Sequence, residues 1–151
     1  VKRVEKIDDN SGIVLTNGVF DILHKGHIEL LKFSKNQGDK LIVAIDSDER
    51  VRQLKGEDRP INNEEDRRKV LETNRYVDSV VTFNSSEELK TLYETLCPDV
   101  VVKGSEWTAD ELRERDEIPD TIQVKVYPLV GDYSTTNTME KIRNMGSCEK
   151  I

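Results

Sequence analysis

Four short runs, 12–17 (GIVLTN), 40–46 (KLIVAID), 79–83 (SVVTF) and 99–104 (DVVVKG), are almost unbroken in aliphatic and β-branched residues. A strand with one wet face alternates apolar with polar side chains, whereas a continuous apolar run needs cover on both faces. A fifth run, 122–129 (IQVKVYPL), has the same strand character. Between and after these runs lie segments with helical spacing, predicted as helices over 27–36, 48–55, 63–74, 86–96 and 134–145. The fourth is the clearest: Ser85 with Glu88 forms a capping-box pattern, Leu89, Leu92, Tyr93 and Leu96 follow on one face, and Pro98 stops the helix. Strand and helix in regular alternation predict an α/β fold, a single Rossmann-like doubly wound domain around a five-stranded parallel sheet. With 151 residues, one domain covering 1–151 is expected, with no repeat or linker to divide it.

Charge and composition exclude several function classes. The chain carries 23 Lys and Arg against 30 Asp and Glu, a net charge of -7, so a phosphate-backbone footprint for nucleic acid is not expected. A small, highly charged ligand is still allowed, because a few local cations can hold it. No apolar stretch approaches the roughly 20 residues that span a bilayer, so no membrane partner is expected. The polar opening VKRVEKIDDNSG has no signal-peptide core, and a cytoplasmic protein is expected. Cys97 and Cys148 are far apart and belong to no CxxC, which predicts ordinary reduced thiols.

In sheets of this kind ligands bind beyond the carboxyl ends of the strands, where the strand order reverses. The loop after the first strand carries both histidines of the chain, His24 and His27, in the stretch TNGVFDILHKGHIELL. Gly18 and Gly26 punctuate it, and Gly26 and His27 stand at the predicted opening of a helix. A helix N-terminus offers unsatisfied N–H groups and about half a positive charge, a natural seat for phosphate. Two imidazoles at this turn can donate hydrogen bonds to one anion. Neither a GxGxxG nor a GxxxxGK[ST] motif is present. Zinc would need ligands beyond HxxH, and Asp21 is the obvious neighbour, so no resident metal is expected. Ser134, Thr135 and Thr136 open a second helix; as caps they need no ligand, and as a second phosphate seat they would face the first.

The stretch NGVFDILHKGHIELL resembles the GxFDxxHxGH signature of the cytidylyltransferase-like nucleotidyltransferase superfamily. The resemblance continues through LKGEDRPINNEEDRRKVLETNRYVDSVV, DVVVKGSEW and YSTT, covering about 12–143. Within the superfamily the chain is most similar to the D-glycero-β-D-manno-heptose 1-phosphate adenylyltransferase group, with glycerol-3-phosphate cytidylyltransferases as the alternative. Glu106, after Ser105, stands where Asp is frequent, and LVGDYSTT lacks the arginine of the glycerol enzymes' RTEGISTT pattern. Arginine is a common bidentate phosphate holder, so its loss argues against glycerol 3-phosphate. A non-catalytic nucleotide-binding module is a third reading, which the intact HKGH and STT disfavour.

The resemblance implies attack by a phosphorylated acceptor on the α-phosphorus of a nucleoside triphosphate, with release of pyrophosphate. The implied substrates are ATP or CTP and a phosphorylated sugar or polyol, with Mg²⁺ carried by the triphosphate. It assigns His24, His27 and Lys55 to catalysis, with His24 nearest the α-phosphate. Nucleotide and phosphate binding falls to Thr16, Asn17, Gly18, Phe20, Asp21, Gly26, Lys103, Gly104, Ser134, Thr135 and Thr136. Asp46, Lys55, Arg59 and Glu106 are assigned to the acceptor. Lys55 and Arg59 also read as an ordinary charged surface loop, with Gly56 a hinge and Pro60 a stiff exit. The acids of EEDRR, 64–68, suit the first turn of a helix and read as structural. A homodimer is implied, and with no kinase domain in the sequence a stand-alone transferase is expected.

Overall fold

The continuous apolar runs are divided between two cores because neighbouring residues of a strand point to opposite faces. The computed structural model describes residues 12–128 and 133–146. Five parallel strands, β1 (Ile13–Gly18), β2 (Lys40–Asp46), β3 (Ser79–Phe83), β4 (Val100–Gly104) and β5 (Gln123–Tyr127), lie in the order β3-β2-β1-β4-β5. Val14, Leu41, Val43, Ile45, Val100 and Val102 enter one core with Leu31 and Leu71. Leu15, Ile42, Ala44 and Val101 enter the other with Leu89, Tyr93 and Ile122. Helices α1 (Lys25–Lys35) and α3 (Glu64–Glu72) supply Leu31 and Leu71 to the first face, and α4 (Ser86–Leu96) supplies Leu89 and Tyr93 to the second. Short α2 (Asp48–Lys55) follows β2, and α6 (Thr135–Asn144) follows β5.

The expected α/β architecture is observed, with two local differences and one addition. The Ser85 hydroxyl accepts the Glu88 N–H at 3.2 Å as the capping pattern predicts. The Glu88 carboxylate, however, takes the amide of Asn84 at 2.7 Å, one residue before the amide that a reciprocal box would use. Helix α1 begins at Lys25, two residues earlier than its apolar spacing indicates. The addition is α5 (Ala109–Asp116), between β4 and β5. Leu112 is its one buried residue, so its apolar stripe is too thin to register as periodicity. Its start is nevertheless written in sequence: Thr108 and Glu111 exchange the reciprocal bonds of a capping box.

Helix α4 ends at Leu96, where Cys97 adopts the left-handed conformation ahead of Pro98. Cys148 and the opening 1–11 lie outside the described residues, as do 129–132. Among the described residues no helix is long and apolar enough to cross a membrane.

The carboxyl edge of the sheet is organised by a buried cation. Arg67 of α3 is 2% exposed. Its Nη1 donates to the carbonyls of Val19 and Asp46, each at 2.9 Å, its Nε to that of Asn62 at 2.9 Å, and its Nη2 to Asp48 Oδ1 at 2.9 Å. These are the chain exits of β1 and β2 and the approach to α3. Carbonyls that leave a sheet lose their ladder partners, and a buried guanidinium is stable only when its donors are matched. Arg67→Met should therefore cost about 3–5 kcal/mol of stability, read from urea unfolding, because it strands buried acceptors and the Asp48 charge together. A loss below about 1 kcal/mol would contradict this account.

Candidate active site

The strand order reverses at β1, where β2 follows on one side and β4, reached from β3 through α4, lies on the other, and a cavity of about 320 Å³ opens at the carboxyl ends of β1 and β4. Asn17 and Gly18 reach it from β1 and Gly104 from β4. The starts of α1 and α6 close two of its sides, and Lys55 and Arg59 stand on a third.

The two histidines cap α1 for each other. His24 is the N-cap, and its Nδ1 accepts the His27 amide at 3.4 Å, while His27 Nδ1 accepts the His24 amide at 3.2 Å. The rings stack with centroids 3.8 Å apart and planes 24° from parallel. A ring nitrogen that accepts a hydrogen bond carries no proton, so each neutral imidazole holds its N–H at Nε2. Burial lowers the His24 pKa below its usual value. Burial, then the proximity of His24, pushes His27 down to about 4. Both rings are therefore neutral near pH 7, each with one defined donor.

The glycine between them is required by space. A Cβ on Gly26 would lie 2.9 Å from His24 Cε1 and 3.2 Å from Tyr133 Cβ. Phe20 and Ile22 leave the loop at φ of 55° and 52°, an uncommon conformation that is costly for a β-branched residue. The Phe20 ring then packs 5.1 Å from that of His27.

A second helix start faces the first. Ser134 caps α6 by accepting the Asn137 amide at 2.9 Å. In both α1 and α6 the cap thus serves the third helical amide, and the first two have no intrahelical partner. Helices α2, α3, α4 and α5 all carry acids in their first turn, whereas α1 and α6 carry none. The two dipoles on the cavity are thus left for an external anion. Arg59 Nη1 lies 3.4 Å from the Thr136 hydroxyl, and its buried Nε has no hydrogen-bond partner among the described residues.

Asp21 lines the cavity, but both carboxylate oxygens are engaged, by the amides of Ile61 at 2.6 Å and Asn62 at 3.1 Å. Its carbonyl accepts the Thr135 hydroxyl, so one residue ties the histidine loop to the segment before α3 and to α6.

Of the residues singled out in sequence, Asn17, Gly18, Phe20, Asp21, His24, Gly26, His27, Lys55, Arg59, Gly104, Ser134, Thr135 and Thr136 come together on the cavity wall. Thr16, Asp46, Lys103 and Glu106 are not on it. Thr16 is fully buried and donates its hydroxyl to the Val102 carbonyl at 2.8 Å. Asp46 pairs with Arg50 Nε at 2.7 Å. Lys103 is buried against Asn17 and Asp116, and Glu106 is exposed beyond β4. Tyr127 and Tyr133 also line the cavity and were not singled out. Tyr133, beside the Ser134 cap, stacks toward His24 at 6.3 Å with planes 21° apart; its place next to the serine was the available signal.

Because His27 is held at about 4 in the fold against 6.5 when free, the unfolded chain binds more protons between these values. Stability is then complete above about pH 6.5 and falls as pH drops toward 4. Urea midpoints across this range should show that loss in the native protein and less of it in His27→Asn, whose amide oxygen can replace Nδ1 as acceptor. Equal slopes for the two proteins would refute the neutral pair.

Comparison with known proteins agrees with this geometry. A family model described as cytidylyltransferase-like matches residues 15–144. The bifunctional protein HldE of Koribacter versatilis (strain Ellin345) is 45% identical over 130 residues, 85% of this chain and 26% of that protein. Its counterpart in Campylobacter fetus subsp. fetus (strain 82-40) is 42% identical over 137 residues, 89% of this chain and 29% of that protein. The chain thus spans little more than a quarter of these relatives. Among solved structures, a lipopolysaccharide core biosynthesis protein from Thermoplasma volcanium aligns with a TM-score of 0.64 and 32% identity, over 81% of this chain and 98% of that one. Pantothenate synthetase from Thermus thermophilus shares the fold, with a TM-score of 0.56 at 14% identity over 87% of this chain and 65% of that one. The chain belongs to the cytidylyltransferase-like nucleotidyltransferase family.

Proposed function

We propose that the protein joins a sugar 1-phosphate, specifically a heptose 1-phosphate, to the α-phosphate of ATP and releases pyrophosphate. The observation that carries this reading is the neutral, stacked His24–His27 pair set between two helix starts that lack acids. The choice of sugar and base rests on the similarity to HldE proteins and to a protein of lipopolysaccharide core biosynthesis.

The acceptor's own phosphate oxygen is the nucleophile: its bond to the α-phosphorus forms as the bond from that phosphorus to the bridging oxygen of pyrophosphate breaks. No side-chain nucleophile is required, and acceleration comes from positioning and from donors directed at developing charge. His24 and His27 supply Nε2 donors to the α-phosphate oxygens. The free amides of α1 and α6 hold the flanking phosphates, and Lys55 and Arg59 balance the charge of the departing pyrophosphate. Neutral histidines suit this task, since they keep their hydrogen-bond donors across ordinary pH without a change of charge.

In this reading Mg²⁺, carried with the triphosphate, would supply neutralisation of phosphate charge there. Asp21 is the carboxylate on the described wall, and it is engaged by amides. Among the described residues no group of three or more His, Cys, Asp or Glu is arranged to hold a metal. Such a site fits an ion that binds largely through substrate phosphates and water.

The test is pyrophosphate release with each nucleoside triphosphate, Mg²⁺ and a panel of sugar 1-phosphates and glycerol 3-phosphate. Turnover is expected with ATP and a heptose 1-phosphate. A requirement for CTP and glycerol 3-phosphate would replace this reading with a cytidylyltransferase, and nucleotide binding without turnover across the panel would make the chain a binding module. His24→Ala should lower kcat by about 10²–10³, the usual effect of removing a transition-state donor. Gly26→Ala should lower it comparably while leaving all side-chain donors in the sequence, because the added Cβ displaces the His24 ring. Unchanged kcat in His24→Ala would remove that histidine from the reaction, and unchanged kcat in Gly26→Ala would show that the His24 ring accommodates the added Cβ.

A further inference from the structure

Lys103, assigned to the nucleotide by sequence, is placed by the fold beside a residue that faces it. Thr16 of β1 pairs with Val102 of β4, so the next residues, Asn17 and Lys103, share one face at adjoining strand ends. The Lys103 ammonium donates to Asn17 Oδ1 and pairs with Asp116 Oδ2 at 3.1 Å. Lys103 is 6% exposed, too enclosed to reach the cavity as a free cation. Asp116, at the end of α5, is gripped in turn by Arg115, Nε to Oδ1 at 2.8 Å and Nη2 to Oδ2 at 3.1 Å. The Arg115 guanidinium lies 4.7 Å from the Trp107 ring centre.

An asparagine amide can face a ligand with its oxygen or with its NH₂, and in an anion site only the NH₂ is useful. An ammonium has donors and no acceptor, so it can bond to the oxygen alone. We propose that Lys103 is a positioning residue, pinned by Asp116, that fixes the Asn17 amide so that its NH₂ donates to a phosphate oxygen of the bound nucleotide. Lys103 acts through Asn17 and makes no phosphate contact of its own. Helix α5, with one buried apolar residue, is thereby given a use: it brings Asp116 to the end of β4. The proposal rests on the nucleotidyltransferase reading of the cavity.

The test is a double-mutant cycle in nucleotide affinity, measured by calorimetry with α,β-methylene ATP and Mg²⁺ on the full chain. Asn17→Ala and Lys103→Met should each weaken binding on the order of tenfold, the usual scale for one hydrogen bond to a charged group. The double variant should bind no more weakly than Asn17→Ala, because removing the support of an absent amide has no further effect. Equal losses from Lys103→Met in the presence and absence of Asn17 would make it an independent contact and overturn the proposal, as would native affinity in Lys103→Met. Thermal unfolding checks that each variant is folded. If Lys103→Met is not, the same cycle with Asp116→Asn, which weakens the pin, carries the same two outcomes. A native protein that binds no nucleotide overturns the cavity reading and this proposal together, whereas native binding with additive variants overturns this proposal alone.

Discussion

Arg67 sits where the strands of a parallel sheet come apart, and the geometry of the cavity depends on it. Strand ends release carbonyls that no neighbouring strand can use, and in this protein two such groups, from Val19 and Asp46, converge on one guanidinium with the carbonyl of Asn62 from the segment before α3. The rigid fork of arginine matches several acceptors at once, which a lysine ammonium on a flexible stem would do less well. Asp21 makes the complementary connection, receiving amides from Ile61 and Asn62. A donor fork from α3 and an acceptor carboxylate from the histidine loop thus bind the same two segments to each other. The loop that carries His24 is held from both sides before any ligand arrives.

On that frame the electrostatics of the cavity are local and differ from those of the whole chain. The net charge is -7, yet the cavity is edged by two helix starts without acids, by Lys55 and by Arg59. Elsewhere acids in the first turns of α2 to α5 satisfy the helix dipoles internally. Distance and solvent screening separate these populations, so an acidic protein can still hold a triphosphate. The histidines add directed donors without adding charge, since burial keeps both neutral.

Much of this was legible in the residues. Period-two division of continuous apolar runs follows from burial on both faces, which is why the five strands and the helices at 48–55 and 86–96 lie where the spacing puts them. The histidine pair stood out by scarcity and by its glycines. Helix α5 was hidden because six of its eight residues are charged and Leu112 alone is buried, and its capping box was the remaining trace. Arg67 was hidden for another reason: in EEDRRKV it looks like any solvated helix charge. Its burial is a property of what surrounds it and is absent from its neighbours in sequence.

The same distinction separates the site residues. A sequence motif reports which side chains travel together along the chain, and HKGH and STT report helix starts whose caps are local by nature. The amino-acid sequence by itself therefore determined the doubly wound sheet, the edge on which the cavity opens, and the glycine-spaced histidine turn. Tertiary structure alone decided which polar groups remain available there. Thr16 and Lys103 lie at the expected strand ends, but Val102 and Asp116 engage them across the fold. A hydrogen-bonding group has only a few directions in which to bond, and partners distant in sequence had already filled them.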